Sequence, residues 1–204
     1  MNIITNNCLY GFYYKQKGFQ YQNPFVWNLI NSKDFERLIR YYDELDFEDV
    51  EIKVNKDIHD GYGSPMCDLY SCSIYLKHNI RIQFNHYKYD PKCLTPKALI
   101  PDVFYYRNFE YCWNKWHERA KRISEEPIFV YHWGDIDFNT FEDIVNIINT
   151  AKEKNKRLII ITANEKLLPY ESNNIKIHVT KNNFKPVQTL TNELEEQLNY
   201  FKVS

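Results

Sequence analysis

The run Leu158-Ile159-Ile160-Ile161-Thr162 carries no charge and no apolar/polar alternation, the pattern of a strand covered on both faces. Such a strand belongs to a parallel sheet with helices above and below, and its neighbours supply the parts. Ile128–Trp133 reads as another apolar strand. Asn139 followed by Glu142 resembles a capping box, and Phe141, Ile144, Val145, Ile148 and Ala151 fall on one side of the helix it would start. Ile175–Thr180 alternates like a further strand, and Leu190, Leu194, Leu198 and Phe201 mark a last helix. The order strand–helix–strand–loop–strand–helix predicts an α/β sheet with right-handed crossovers.

The first half is less regular. Ile3–Thr5 reads as a short strand and Cys8–Lys17 as a helix stopped by Gly18, a natural left-handed terminator. A second helix starts after Ser32, with Asp34 and Glu36 in its first turn and Phe35, Leu38, Ile39, Tyr42 and Leu45 at helical spacing. Val50, Ile52 and Val54 alternate as in a half-buried strand. Leu69–Lys77 and Ile80–Tyr87 form a hairpin around His78-Asn79, preceded by a loop with Gly61, Gly63 and Pro65. Lys88–Asn108 holds Pro91, Pro96 and Pro101 and reads as a long connection of the kind that often serves as a lid or binding loop. Asn108 then caps a helix whose inward stripe is Phe109, Cys112, Trp113, Trp116, Ala120 and Ile123. No linker or repeat divides the 204 residues. The expected architecture is one compact α/β domain, residues 1–204: an irregular N-terminal α+β part with a β-hairpin joined to a C-terminal βαβ-type parallel sheet, with candidate lobes 1–107 and 108–204.

Composition excludes several classes. Lys and Arg number 26 against 27 Asp and Glu, and a net charge of −1 argues against a protein built to neutralise nucleic-acid phosphates or coat an anionic membrane. Five glycines are too few for a glycine-rich phosphate loop, and five cysteines without a C-x-x-C pair suggest neither a disulfide framework nor a structural zinc. Cys67-x4-Cys72 and His59-Asp60 match no metal-ligand spacing, so no metal and no cofactor are expected. Met1–Asn7 lacks the basic and apolar regions of a signal peptide, and no apolar run approaches a bilayer span. The expectation is a cytoplasmic protein with no membrane span and no nucleic-acid partner; protein partners are left open.

A few residues suit chemistry. Cys8 falls at or just before a helix N-terminus, where unpaired N–H groups favour a thiolate, although free cysteine is also a common core residue. His86 follows Ile80, Ile82 and Phe84 on one face of its strand, in phase with the core at the strand's end: a core histidine, or a base at the mouth of a cleft. Cys8 before His86 is the chain order of papain-like thiol enzymes, which need a third group to orient the imidazole; Asn6, Asp135 and Asn164 are candidates. Arg119, at the edge of the Trp113/Trp116 stripe, could present a bidentate fork to a phosphate or carboxylate, with Arg122 rotated further toward solvent; both could equally pack their stems on aromatics. Trp113 and Trp116 could stack a sugar or base, but helical spacing makes them core first. Asp135-Ile136-Asp137 matches the Asp-x-Asp of sugar-nucleotide transferases, where carboxylates hold Mg²⁺ or Mn²⁺; the chain's twelve aspartates nearly account for it by chance.

Four stretches carry a resemblance: Thr5-Asn6-Asn7-Cys8 with Gly11 and Tyr14; Pro24-Phe25-Val26; Ile82-Gln83-Phe84-Asn85-His86-Tyr87-Lys88; and Trp116-His117-Glu118-Arg119-Ala120-Lys121-Arg122-Ile123. Together they resemble the bacterial domain-of-unknown-function family nineteen-nineteen, over about Asn2 to Thr162. Members of that family are often labelled exopolysaccharide biosynthesis proteins. The resemblance implies an α/β fold and a place in surface-glycan assembly. The family is also distantly similar to papain-like cysteine peptidases, which implies a nucleophile at Cys8 and a base at His86. Where the family has Gly-Asp-x-Glu-Ile-His this chain has His78-Asn79-Ile80-Arg81-Ile82-Gln83, and Leu9 stands where an aromatic usually follows the cysteine.

Three functions follow as expectations. The first is a cysteine-dependent hydrolase or transferase acting on a glycan or its acyl or phosphate substituent, with Cys8 and His86 catalytic and Asn7, Tyr87, Lys88, Trp116, Arg119 and Arg122 binding substrate. The second is a metal-dependent glycosyltransferase using Asp135 and Asp137. The third is a non-catalytic scaffold or binding protein of a glycan-assembly system.

Overall fold

A computed structural model of the chain describes residues 2–7, 9–26, 28–55, 71–84, 113–133, 139–180, 195 and 198–201. Two four-stranded sheets organise them. In the first, β1 (Ile3–Thr5), β6 (Ile128–Trp133), β7 (Arg157–Thr162) and β8 (Ile175–Val179) lie side by side in that order and all parallel. In the second, β2 (Asn28–Leu29), β5 (Ile80–Phe84), β4 (Ser71–Leu76) and β3 (Glu51–Asn55) form an antiparallel sheet. The expected mixed α/β class is what the chain adopts.

The apolar strands of the parallel sheet have two buried faces, and alternation along each strand sorts the side chains between them. Ile3, Ile128, Val130, Ile159 and Ile161 face α1 (Leu9–Lys17), whose Tyr10, Tyr13 and Tyr14 pack there with Val26, Leu198 and Phe201. Burial pushes the phenols of Tyr10 and Tyr14 above their ordinary range, so both stay neutral. Ile4, Phe129, Tyr131, Leu158, Ile160, Ile175 and Ile177 face the other way, onto α2 (Ser32–Tyr41), α4 (Phe141–Glu153) and the inner side of the second sheet through Ile74, Leu76, Ile80 and Ile82. Between α2 and α4, Arg40 donates to Glu36 at 2.7 Å and to Thr150 at 2.9 Å, and Thr150 donates to Glu36 at 2.6 Å. The strand pairing crosses the division between residues 107 and 108, because β1 sits beside β6.

Local signals were displaced by one residue at two helix starts, for one shared reason. The caps are Asn31, whose Oδ1 accepts from the Asp34 amide at 2.9 Å, and Thr140, which forms a capping box with Asp143. Ser32 and Asn139, the expected caps, bond each other: the Ser32 hydroxyl donates to Asn139 Oδ1 at 2.6 Å, and Asn139 Nδ2 donates to the Tyr131 hydroxyl at 2.8 Å. Their side chains tie α2, α4 and β6 together and are not spent on their own helix ends. The hairpin turns through Lys77–Asn79 with positive φ at His78 (66°) and Asn79 (56°), and Gly18 follows α1 at φ 67°. Helix α3 (described over residues 113–120) ends before Ile123, which is half-buried, and Trp113, its first described residue, is 37% exposed. The two-residue β2 has no sequence signal. The Gly61–Pro65 loop, the Lys88–Asn108 connection, Phe109, Cys112, Leu190 and Leu194 lie outside the described residues.

One buried charge joins three connections. The Lys156 side chain is 6% exposed, with its ammonium 2.7 Å from Asp43 and 2.9 Å from Glu126. Burial works to lower its pKa, but the hydrogen bonds to both carboxylates outweigh it and the net shift is upward. Below about pH 10.4 the group is charged whether folded or not, so its contribution is complete there and is lost as pH rises through the higher folded value. Lys156→Met, which keeps the buried stem, is expected to cost about 1 kcal/mol at pH 7. That difference from the parent, read by urea unfolding, should shrink as the pH rises above about 10.4.

Candidate functional site

In an open α/β sheet, ligands bind at the carboxyl ends of the strands where neighbouring connections leave to opposite faces. Here that point lies between β1 and β6. After β1 the chain enters α1, in the layer with Tyr10, Tyr13 and Tyr14, whereas the helix following β6 is α4, packed on the opposite face through Ile144, Ile147 and Ile148. The residues at this parting are Asn6, Asn7 and His132.

Asn6 ends β1 by replacing a backbone rung with its side chain. Its N–H still donates to the Val130 carbonyl at 3.3 Å, as a parallel ladder requires. Its side chain then takes up both polar groups of the next partner: the His132 amide donates to Asn6 Oδ1 at 2.8 Å, and Asn6 Nδ2 donates to the His132 carbonyl at 3.0 Å. The Asn6 carbonyl accepts from the Ile30 amide at 2.9 Å, joining the exit of β2 to the same point. Freed from the ladder, the chain turns away at Asn7, whose carbonyl accepts from the Thr5 hydroxyl. Asn7 Nδ2 lies 3.1 Å from His132 Nδ1. Both side chains are half-buried, and His132 is on the α1 side of the sheet, in phase with Ile128 and Val130. Ile161, which pairs with His132 on one side and His178 on the other, puts a second imidazole on the same face two strands over.

Of the residues expected to carry chemistry, Asn7 and the orienter candidate Asn6 meet at this point. Cys8, which follows Asn7 in the chain, lies outside the described residues, as do His86, Tyr87, Lys88, Asp135 and Asp137. Asn164 caps a short helical turn, its Oδ1 accepting from the Lys166 amide at 3.1 Å. Trp116 is core: its indole is fully buried, edge-on to Phe25, and its N–H donates to the Phe47 carbonyl at 2.6 Å. That burial corrects its assignment as a stacking platform for substrate. Arg119 is also buried, its guanidinium 4.7 Å from the Tyr21 ring centre with Nη1 donating to the Val26 carbonyl at 3.3 Å. Arg122 donates to the Tyr21 carbonyl at 3.0 Å and pairs with Glu118. These two arginines fasten α3 to the Tyr21–Val26 segment. Among the described residues, no group of three or more His, Cys, Asp or Glu is placed to hold a metal ion, and no helix is long and apolar enough to cross a membrane.

His132 was missed from sequence because Ile128–Trp133 reads as a plain apolar strand. The available signal was a polar ring one residue from the carboxyl end of a strand otherwise buried on both faces, where the ligand crevice of a parallel sheet opens.

Residues 1–93 match the family model described as Domain of unknown function (DUF1919). The match takes in Asn6, Asn7, Cys8 and His86; His132 and the Trp116–Ile123 stretch fall beyond it. No curated protein matches the chain.

The Asn6 clamp makes a measurable claim. Asn6→Ala leaves the amide and carbonyl of His132 without these partners in a part-buried setting, and is expected to lower the unfolding free energy by about 1–3 kcal/mol. Asn6→Asp, which keeps an acceptor for the His132 amide but sets a carboxylate oxygen against its carbonyl, should rescue little of that loss in urea denaturation at pH 7.

Proposed function

We propose that this chain is a thiol-dependent hydrolase or transferase of surface-glycan assembly, acting in the cytoplasm on a glycan or its acyl or phosphate substituent. Cys8 is the nucleophile and His86 the general base, with Tyr87 and Lys88 contacting substrate. One observation carries the reading: the parting of β1 and β6 coincides with an Asn-Asn-His constellation, and the residue next in the chain is a cysteine just before the first residue of α1. A thiol at a helix N-terminus gains from the unpaired N–H groups and the helix dipole, which favour the thiolate. The glycan pathway rests on the family resemblance of the four short motifs.

The test is competitive alkylation. With limiting iodoacetamide below pH 8, Cys8 should be carboxamidomethylated faster than Cys67, Cys72, Cys93 and Cys112 in the native chain, with the rates converging in urea, as read by peptide mass spectrometry. Native labelling of Cys8 at or below the rate of the other four removes it as nucleophile. In the source cell, Cys8→Ala should abolish the glycan product while leaving the protein's abundance unchanged.

A further inference from the structure

We propose that β3 is a self-pairing edge through which two copies of this chain associate. The strand lies antiparallel to its own copy about a two-fold axis at Ile52, and the two antiparallel sheets join into one. This surface is separate from the candidate site and does not rest on the thiol reading.

Among the described residues, β3 has one strand neighbour, β4, and so ends the antiparallel sheet. An edge strand presents unpaired amides and carbonyls, and soluble proteins commonly guard such edges with charged side chains, lysine above all. The charges on β3 are Glu51 and Lys53, which share a face because they stand two residues apart. Their side chains are 64% and 51% exposed, and Lys53 Nζ lies 3.1 Å from Glu51 Oε2 and 4.8 Å from the centre of the Tyr75 ring on β4. A lone lysine would repel its own copy. A lysine two residues after a glutamate does not.

The spacing selects a register. In a two-fold antiparallel pairing, opposed residues point to the same side of the sheet, so the allowed registers differ by steps of two residues. With the axis at Ile52, Glu51 of each copy stands opposite Lys53 of the other. Each ion pair then lies beside an inverted one, and every ammonium gains a second carboxylate. An axis at Glu51 sets the two glutamates against each other, and an axis at Lys53 the two lysines; like charges directly opposite destabilise a pair of strands. One register is favoured and both its neighbours are penalised. The last strand of the parallel sheet differs, since Ile175–Val179 carries Lys176 and His178 and no acid, so no antiparallel register of β8 with its copy matches opposite charges. A second copy is therefore the occupant that β3 itself specifies, in an isologous contact. Main-chain hydrogen bonds supply the affinity and the four charges the register. Five residues a side make a small interface, so the dimer forms at high protein concentration.

Sedimentation velocity over a concentration series should show the parent chain passing from monomer to dimer, the dimer being favoured at low salt. Glu51→Lys and Lys53→Glu each set like charges opposite and should weaken association about 10-fold. An equimolar mixture of these two variants should recover it as a heterodimer, resolved by native mass spectrometry, because each then meets its complement. The chain carrying both exchanges should pair with itself as the parent does. Hydrogen exchange at the Glu51–Asn55 amides should slow as the dimer fills. A parent that stays monomeric throughout the series overturns the proposal, as does a dimer that the single variants leave intact or that neither the mixture nor the double exchange restores.

Discussion

The pairing of β1 with β6 is the contact on which the rest of the structure depends. It brings together segments about 125 residues apart, as the contact between Asn7 and His132 also does. Closing a chain loop of that length costs about 4 kcal/mol in entropy. Ile3 and Ile4, each at most 1% exposed, go to opposite faces of the sheet, and burial of an isoleucine side chain contributes about 1.5–3 kcal/mol. Two side chains on a three-residue strand are thus of the size needed to offset the closure. Asparagines reinforce the insertion: Asn23 Nδ2 donates to the Ile3 carbonyl and to Asn2 Oδ1, both at 2.7 Å, and Asn2 Nδ2 donates to the Glu125 carbonyl at 2.9 Å. Neutral amides can satisfy buried backbone groups here without the desolvation penalty of a charge.

The same insertion creates the candidate site. A strand added at the edge of β6–β7–β8 is followed by α1 on one face, while the helix after β6 is α4 on the other, the arrangement at whose carboxyl ends open α/β sheets bind ligands. Had the two connections stayed on one face, the helices would close over that end. Asn6 is the hinge of the arrangement, since its backbone belongs to β1 and its side chain to the His132 peptide groups. Asn7 is thereby released to turn toward the imidazole.

Legibility followed the range of the interactions. The parallel core strands, α2, α4 and the hairpin turn were readable because their apolar periods and turn residues act within about ten positions. The helix caps were readable to within one residue, and the shift had a long-range cause, since Ser32 and Asn139 bond each other across 107 positions. Trp116 was rightly expected to be core by its spacing, while Arg119 was harder: a guanidinium at a stripe edge looks solvated until Tyr21 and the Val26 carbonyl are brought against it. For the site, Asn6 and Asn7 were visible as polar residues beside a cysteine. Their partner was not, because nothing local to Ile128–Trp133 announces which strand will lie beside it.

That asymmetry bears on what the matched segment can be. Residues 1–93 contain β1, α1, α2 and the four strands of the antiparallel sheet, yet β1 has β6 as its strand partner, and β6 lies beyond residue 93. The aromatic face of α1 packs on Ile128, Val130, Ile159 and Ile161, all outside the segment. Cut away from those strands, β1 would be three residues without a ladder and α1 a nine-residue helix with its tyrosines in water, below the length at which isolated helices persist. The matched stretch therefore depends on the following strands for its fold. The imidazole that meets Asn7 is likewise carried by β6. In this chain that need is met by β6, where His132 stands two residues after Val130, the partner of Thr5.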